Sequence, residues 1–415
     1  MKFRLISKNA DGVALALQIA KEGHKVDFWV KDKGAKTTYI GILPQAEQWN
    51  IGLTNDTVVF FDMVGMGGFA EKLKKDGLNI YGAGKFNDAL ELNREFAMQV
   101  AKTSKLKLPA YGKFNSFAEA ADFVKRTNKA WVFKPMNNQL PEYTYVSEDA
   151  EDMIGMLGYF KTIWPEPFNF ILQERIYGIE LSVEGFYIEG ELVQGTLNST
   201  LEEKRLFEGG RGPNTGCMGS VVWFWEKTAP KIYRLTLQKL EPFLRRFKYS
   251  GPLDVNCIIN EEDKLPYFLE FSARFGYNAI YALFEGMGFG MANFIACLAD
   301  GKPPALKRSF AWLGAVRVSV PPFPYLDSVS ANKPIRGIDE HTWLLDAKAD
   351  HETLLTAGVD GVVCEVSGSG ETLNKLDKIL YERVGSLKIP DKQYRPDIVR
   401  TAKKKISTLN KWKYF

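Results

Sequence analysis

A glycine-rich stretch carries the strongest chemical signal in the chain. The sequence Gly212-Pro-Asn-Thr-Gly-Cys-Met-Gly219 holds three glycines, a proline, an asparagine and a threonine within eight residues. Because glycine adopts backbone angles that other residues rarely reach, such a segment can turn several backbone N–H groups toward one anion. The composition therefore predicts a loop that binds phosphate.

Charged residues precede and follow this stretch. Lys204 and Arg205 form a basic pair before it, and Glu270 and Arg274 follow it in a hydrophobic segment. A phosphate-binding loop, a basic pair and a carboxylate on a strand are typical of a site that holds a magnesium nucleotide beside a second anionic substrate. These residues therefore predict nucleotide-dependent chemistry.

Glu270 is the leading candidate for a metal ligand. Its neighbours Phe268, Leu269 and Phe271 predict a buried strand. A buried carboxylate needs a partner, and Mg²⁺ is a partner of that kind.

Together, these segments resemble the phosphoribosylamine–glycine ligase family of ATP-grasp enzymes. The family's loop is H-K-R, a short spacer, then T-G-P-N-T-G-G-M-G, and Glu203–Arg205 and Arg211–Gly219 keep that spacing without a gap. The family's E-F-N-C-R-F-G-D-P-E corresponds to Glu270–Ala279, and its C-R-K-D-I near the C-terminus corresponds to Tyr394–Ile398. The resemblance extends over nearly the whole chain.

The resemblance implies an ATP-grasp fold and a ligase activity. In such an enzyme ATP converts a carboxylate into an acyl phosphate, which an amine then attacks, and the protein positions the phosphates and neutralises their charge. The implied carboxylate is glycine or another amino acid. The implied amine is phosphoribosylamine or a related amine of nucleotide or modified-base metabolism. ATP and Mg²⁺ (or Mn²⁺) are the implied cofactors.

The resemblance also assigns roles to individual residues. The implied catalytic residues are Arg274 and Lys204. The implied ATP contacts are Arg94, Lys134, Glu174, Glu180, Lys204 and Arg205. The implied substrate and phosphate loop comprises Arg211, Gly212, Pro213, Asn214, Thr215 and Gly216. The expected metal ligands are Glu270, Ser272, Asn256 and Asp254.

One departure from the family affects the metal. Ser272 replaces the family's asparagine two residues after Glu270, and a serine hydroxyl is a weak Mg²⁺ ligand. Asn256 or Asp254, on the strand predicted to pair with this one, is expected to compensate.

Other departures affect the substrate. The family's glycine-rich lid corresponds to residues 134–144, which hold no glycine, and two N-terminal motifs are replaced at 10–16 and 62–68. The family's D-P-E becomes Tyr277–Ala279. Because contacts to phosphoribosylamine are expected in the N-terminal motifs, we expect an inherited scaffold whose amine pocket has changed.

Two other functions stay open. The chain can be a nucleotide-binding or regulatory protein on a weakened ATP-grasp scaffold, which Ser272 and the glycine-free lid favour. It can also be a generic nucleotide-binding α/β protein. Each motif has a structural interpretation as well: Lys134 as an exposed strand end, Glu180 as part of a solvated sheet face, and the glycine-rich stretch as a turn.

Composition limits the class of protein. The 415 residues predict two to four domains, and 45% hydrophobic and 25% charged residues are typical of a globular protein. A net charge of +4 gives no argument for nucleic acid or a membrane surface. Four scattered cysteines and three unlinked histidines predict reduced thiols and no structural zinc. We expect a cytoplasmic monomer or homodimer acting on small molecules.

The predicted elements form a multidomain α/β and α+β protein. Alternating strands and a helix predict a small parallel α/β domain over 1–105, without the glycine fingerprint of dinucleotide binders. We expect a two-lobed ATP-grasp core over 106–305, with a first lobe to about residue 190, and a C-terminal α/β domain over 306–415. Ser116 and Glu119 predict a capping box for a helix over 117–126.

Overall fold

The computed structural model describes residues 1–136, 144–226, 229–309, 311–325 and 330–415. The strands are β1 (Lys2–Ser7), β2 (Lys25–Val30), β3 (Thr57–Phe61), β4 (Asn79–Tyr81), β5 (Tyr111–Phe114), β6 (Trp131–Pro135), β7 (Tyr145–Val146), β8 (Phe170–Glu174), β9 (Gly178–Ile188), β10 (Glu191–Leu192), β11 (Asn198–Phe207), β12 (Arg211–Phe224), β13 (Gly251–Asn260), β14 (Pro266–Ser272), β15 (Trp312–Ser319), β16 (Thr342–Leu344), β17 (Ala347–Asp350), β18 (Thr353–Thr356) and β19 (Val362–Gly370). The helices are α1 (Val13–Lys21), α2 (Gly67–Lys75), α3 (Lys85–Leu92), α4 (Arg94–Thr103), α5 (Phe117–Thr127), α6 (Ala150–Ile163), α7 (Lys231–Leu235), α8 (Leu237–Arg246), α9 (Ala279–Met287), α10 (Met291–Ala299), α11 (Leu373–Ser386) and α12 (Ile398–Lys411). The predicted glycine-free lid lies mostly at 137–143, outside the described residues.

The N-terminal region is a parallel sheet with strand order β2-β1-β3-β4. Phe3 of β1 pairs with Val26 and Val58, and all three side chains are buried. Parallel strands need covering on both faces, and the apolar side of α1 covers part of this sheet. The prediction of a parallel α/β fold here is confirmed.

A second, antiparallel sheet with order β5-β8-β6-β7 forms the first lobe of the core. Helices α5 and α6 pack together, and stacked aromatic rings, among them Phe117, Phe133 and Phe170, fill a separate core. The predicted capping box is wrong, because the Ser116 side chain makes no cap hydrogen bond. The Glu166 carboxylate takes that place and accepts the Phe117 N–H at 2.7 Å.

A large antiparallel sheet with order β14-β13-β9-β11-β12-β15-β19-β16 carries the rest of the molecule, with β10 paired to β9. β15 pairs with β12, so strands from the C-terminal part of the chain continue the sheet of the central part. The division of the chain at 105 and 305 stays a prediction.

The predicted phosphate loop is a strand. Residues 211–219 belong to β12, which pairs with β11 from Phe207–Arg211 to Asn198–Phe224, with irregular register near Arg205. The hairpin turns at Gly209 and Gly210, which have φ values of 73° and 69°. This Gly-Gly pair was the stronger turn signal, because hairpin turns favour residues that reach positive φ.

Two pairs of consecutive helices are separated by single residues. Asn93 separates α3 from α4, and its side chain accepts the Phe96 N–H and caps α4. Thr236 separates α7 from α8. In the described part of the chain no single helix is long and apolar enough to cross a membrane, whereas the pair α9 and α10, bent by 101°, passes that test by length and composition.

Candidate active site

A cleft of about 370 Å³ lies between the N-terminal region and one face of the large sheet. Its walls come from the turn after β1, from β9, β11, β13 and β14, and from C-terminal segments around Asp346 and Asp360. Because side chains alternate along a strand, the polar residues of each strand that face the cleft are two positions apart. They are Ser182 on β9, Glu202 and Lys204 on β11, Asp254 and Asn256 on β13, and Glu270 and Ser272 on β14.

Lys204 lies in the middle of a charged cluster. Its Nζ donates to Glu180 Oε1 at 2.6 Å and lies 3.8 Å from Glu202 Oε2. Burial alone would lower the pKa of Lys204, but Glu180, Glu202 and Glu270 together raise it above its usual value. Burial opposes ionisation of Glu180, yet Lys204 and a bond from Asn256 Nδ2 at 3.2 Å lower its pKa. Both partners are therefore charged at neutral pH.

Lys134 is a buried cation on β6. It is 8% exposed, and the described residues form no ion pair with it. Burial, and then the charge of Arg94, lower its pKa to about 8, whereas Glu270 and Glu180 oppose that shift. Arg94 Nε donates to the Pro135 carbonyl oxygen at 3.3 Å, which ties α4 to this strand. Two cations are thus held close together, an arrangement that an anion would stabilise.

Glu270 is exposed, so the expectation of a buried carboxylate is wrong. The register between β13 and β14 shifts by one residue between the pairs Asn256–Glu270 and Cys257–Phe268. This bulge lets Phe268 and Phe271 both enter the core while Glu270 faces the cleft. No protein side chain neutralises it through an ion pair in the described part of the chain.

Asn256 and Glu270 fit a magnesium ion better than the other predicted ligands. They are direct neighbours across two strands, and Asn256 Oδ1 is buried without a hydrogen-bond partner. Burial, and then the charges of Glu184 and Glu202, raise the pKa of Asp254 well above its usual value, which disfavours the ionised form that binds Mg²⁺. Among the described residues, no group of three or more His, Cys, Asp or Glu side chains is arranged around a metal. Mg²⁺ suits one carboxylate and one amide oxygen when nucleotide phosphates complete its shell.

Comparisons with known proteins agree with this geometry. The model of the phosphoribosylglycinamide synthetase ATP-grasp (A) domain matches residues 92–279. The chain is 25% identical over 348 residues to phosphoribosylamine–glycine ligase of Caldanaerobacter subterraneus subsp. tengcongensis, covering 80% of this chain and 81% of that protein. It is 26% identical over 349 residues to the Halalkalibacterium halodurans protein of the same name, covering 80% and 79%.

Solved structures show the same fold. Phosphoribosylamine–glycine ligase of Thermotoga maritima matches with a TM-score of 0.74 and 20% identity over 96% of this chain and 100% of that one. Biotin carboxylase of Campylobacter jejuni matches with a TM-score of 0.69 and 13% identity over 99% and 96%. The chain thus contains a segment, residues 92–279, that matches the ATP-grasp domain of this family, and it resembles phosphoribosylamine–glycine ligases over about 80% of its length. The predictions of this family, of the ATP-grasp fold and of a carbon–nitrogen ligase of that type are confirmed.

Arg274 lines the cleft, but two of its guanidinium nitrogens already donate hydrogen bonds within the protein. Its Nε donates to Glu91 Oε1 at 3.0 Å, and its Nη1 donates to the Phe275 carbonyl oxygen at 3.2 Å. The guanidinium also lies 5.0 Å from the ring centre of Tyr277. Burial opposes its charge, but Glu91 and Tyr277 raise its pKa above the usual value. Arg274 is therefore a fixed cation, and bidentate binding through these two nitrogens would require it to release Glu91.

Several predicted site residues lie outside the cleft. Arg205 follows Lys204 on the same strand and so points to the opposite face, where it is exposed and donates to the Gly212 carbonyl oxygen at 2.8 Å. Glu174 pairs with Lys129 at 2.6 Å. Of the predicted loop, which comprises Arg211, Gly212, Pro213, Asn214, Thr215 and Gly216, the cleft wall includes Gly216 alone. Thr215 stabilises the strand that carries Lys204, since its hydroxyl donates to the Lys204 carbonyl oxygen at 2.8 Å.

Sequence reasoning missed the far wall of the cleft. Asn9, Asp11, Arg317 and Asp360 line it, and they come from three distant parts of the chain. Strand pairing brings Arg317 to this face through the register of β15 and β19. No sequence motif includes Asn9, Arg317 or Asp360. Only Asp11 lies in a segment, 10–16, whose sequence departs from the family's motif.

Proposed function

We propose that the protein joins a small carboxylate, with glycine as the first choice, to an amine at the expense of ATP. The observation that carries this proposal is the buried Lys134, which forms no ion pair with any described residue and lies near the charges of Arg94, Glu270 and Glu180. A buried ammonium without a counter-ion is costly, and a nucleotide phosphate would offset that cost.

The proposed reaction has two steps. A carboxylate oxygen of the first substrate attacks the γ-phosphorus of ATP, which forms an acyl phosphate and releases ADP. The amine nitrogen then attacks the acyl carbon, the bond from that carbon to the phosphate oxygen breaks, and phosphate and a proton are released. Lys134 and Lys204 would hold the phosphates, and Arg274 would hold the negatively charged acyl group.

Glu270 and Asn256 would hold Mg²⁺, which neutralises phosphate charge when bound. The residues of this chain contribute position and charge, since no nucleophilic side chain is required. Glu180 would keep Lys204 charged, and it lies on β9 where the family resemblance implies a contact to ribose.

Trapping of the acyl phosphate tests the proposal. Purified protein with ATP, Mg²⁺ and each amino acid in turn would be mixed with hydroxylamine, which converts an acyl phosphate into a coloured hydroxamate. We expect hydroxamate and equimolar ADP with glycine or a similar amino acid, and loss of both with Lys134→Ala. Lys125→Ala, an exposed lysine on α5, is the matched control. ATP binding without hydroxamate from any amino acid would favour the regulatory alternative.

A further inference from the structure

The far wall of the cleft indicates what kind of amine the protein accepts. This wall, here called the amine end, consists of Asn9, Asp11, Tyr277, Arg317 and Asp360. Tyr281 fixes the position of Asp11, because its hydroxyl donates to the Asp11 carbonyl oxygen at 3.0 Å. The amine end therefore joins the N-terminal turn to the large sheet.

The cations of the cleft wall are already neutralised. Lys204, Arg274 and Arg317 are its three cations in the described part of the chain, and each pairs with a carboxylate. Arg317 Nε donates to Glu365 Oε1 at 2.7 Å, and Glu365 is completely buried. A phosphate group on the amine would find no unpaired cation at the amine end among these residues.

Two carboxyl groups of the amine end have no such partner. Asp11 and Asp360 form no ion pair with any described residue. Asp11 Oδ2 accepts a bond from Asn9 Nδ2 at 2.7 Å, and Asp360 Oδ1 accepts the Val362 N–H at 2.8 Å. Asp11, Asp346 and Asp360 line the same cleft, and burial with the charges of the other two raises the pKa of Asp360 to about 7, although the Val362 N–H and Arg317 oppose that shift.

An uncharged acceptor adds to this polarity. Asn9 Oδ1 is inaccessible to solvent and has no hydrogen-bond partner. Asp346 lies beside these groups but differs from them, because its carboxylate already accepts N–H groups from Val359, Asp360 and Gly361 at 2.9 to 3.1 Å. The amine end thus combines two acidic groups that form no ion pair with a described residue and one acceptor oxygen without a donor.

We propose that the second substrate is an amine that carries positive charge and no phosphate. The proposal rests on the proposed ligase function and narrows it. An ammonium group supplies the positive charge that could pair with Asp11 and Asp360, and a donor for Asn9 Oδ1. To react, the ammonium releases a proton and its nitrogen then attacks the acyl carbon. A phosphorylated amine is disfavoured, because its charge would meet two acidic groups and its phosphate would compete with Glu365 for Arg317.

Competition against hydroxylamine tests this assignment even when a probe amine is not itself a substrate. The probes are butane-1,4-diamine, ethanolamine and phosphoethanolamine, and the last two differ by one phosphate. We expect the diamine and ethanolamine to inhibit hydroxamate formation at concentrations about tenfold or more below that of phosphoethanolamine, as one lost charged contact implies. Equal or stronger inhibition by phosphoethanolamine, or no inhibition by any of the three, would overturn the proposal.

Variants separate a charge effect from a structural one. Asp360→Asn and Asp11→Asn should each reduce the preference for ethanolamine over phosphoethanolamine, whereas Asp360→Glu should retain it. Asp350→Asn, at an exposed position in the β17–β18 hairpin, is the control and should leave the preference unchanged. An unaltered preference in both Asn variants contradicts the assignment. If no amino acid yields hydroxamate, the ligase proposal fails; if hydroxamate forms but the phosphorylated amine is preferred, only the present inference fails.

Discussion

At the scale of single residues, Lys134 is the proposed ATP contact whose charge depends most on pH. Its pKa of about 8, lowered by burial and by Arg94, means that the ammonium loses its proton within an accessible pH range. A neutral amine attracts phosphate less, so ATP affinity should fall as pH rises through about 8 and above. Lys134→Arg, which stays charged, should flatten this dependence. Calorimetry at pH 7 and pH 9.5 checks it, with Lys125→Arg as control; equal slopes for wild type and Lys134→Arg would contradict the assignment.

The metal can be tested at two neighbouring positions. Asn256→Ala removes the unpaired Oδ1 next to Glu270, and we expect it to raise the Mg²⁺ concentration needed for half-maximal ADP formation by about tenfold. Ser272→Asn should lower that concentration, because it adds an amide oxygen on the same face. Mg²⁺ titrations of both variants provide the measurement. Unchanged Mg²⁺ dependence in both would show that the ion binds elsewhere.

At the scale of elements, a buried cluster of charged residues from the C-terminal part of the chain binds the β11–β12 hairpin on the side away from the cleft. Arg395 is 1% exposed and pairs with Glu203 at 2.9 Å and Asp397 at 2.6 Å. Asp397 in turn accepts the Gly209 N–H at the hairpin turn. Glu203 is adjacent to Lys204, so this cluster positions the strand that carries the cleft lysine. The C-terminal segment that resembles the family is thereby given a structural role.

Removing the central arginine should be costly. Arg395→Met leaves the buried Asp397 without its cation and Glu203 with Lys405 alone, and we expect a loss of about 3 kcal/mol in the free energy of unfolding. Arg400→Met is the matched control, because its pair with Glu208 is exposed and should contribute about 1 kcal/mol or less. Urea unfolding measures both. If the two variants lose the same amount, the cluster does not hold the hairpin.

Strands and helices could be predicted from the sequence where a local periodic pattern of apolar residues determines them. The sequence pattern placed Lys134 at a strand end and Glu180 on a strand, and it gave α5 to within one residue. The pattern failed where tertiary pairing decided the outcome. The stretch 211–219 has the composition of a turn, yet its pairing with β11 makes it a strand. The bulge that exposes Glu270 depends on register with β13 and leaves no local mark in the sequence.

At the scale of the whole molecule, the cleft exists because three distant parts of the chain meet. The retained motifs, which run from Lys134 to Arg274, predict a nucleotide-binding end, and that assignment stays a prediction. The amine end was not predictable, because Asp11, Arg317 and Asp360 come together only through sheet pairing and through contacts such as Tyr281 to Asp11. The shape of the amine end therefore depends on the assembly of the N-terminal region with the rest of the protein.

The stability of the N-terminal region, including its contact with Tyr277, should depend on pH through the carboxyl group of Asp62. The Asp62 carboxylate accepts bonds from the Ser7 hydroxyl and the Gly12 N–H, and its carbonyl oxygen accepts the Tyr277 hydroxyl at 2.6 Å. Burial, opposed in part by the Ser7 bond, raises the pKa of Asp62 from 3.8 to about 7. The folded protein therefore retains a proton that the unfolded chain releases between these values. This contribution to stability is complete below about pH 4 and is lost as pH rises through about 7.

Asp62→Asn should remove that part of the pH dependence. The amide oxygen can still accept from Ser7 and Gly12, and the amide nitrogen replaces Oδ1, which has no partner. We expect the variant, relative to wild type, to gain stability between pH 4 and pH 8. Urea unfolding across this range measures the difference, and Asp76→Asn at the exposed end of α2 is the control. Parallel curves for wild type and Asp62→Asn would mean that Asp62 is already ionised in the folded protein and that the junction of the N-terminal region accommodates a buried charge.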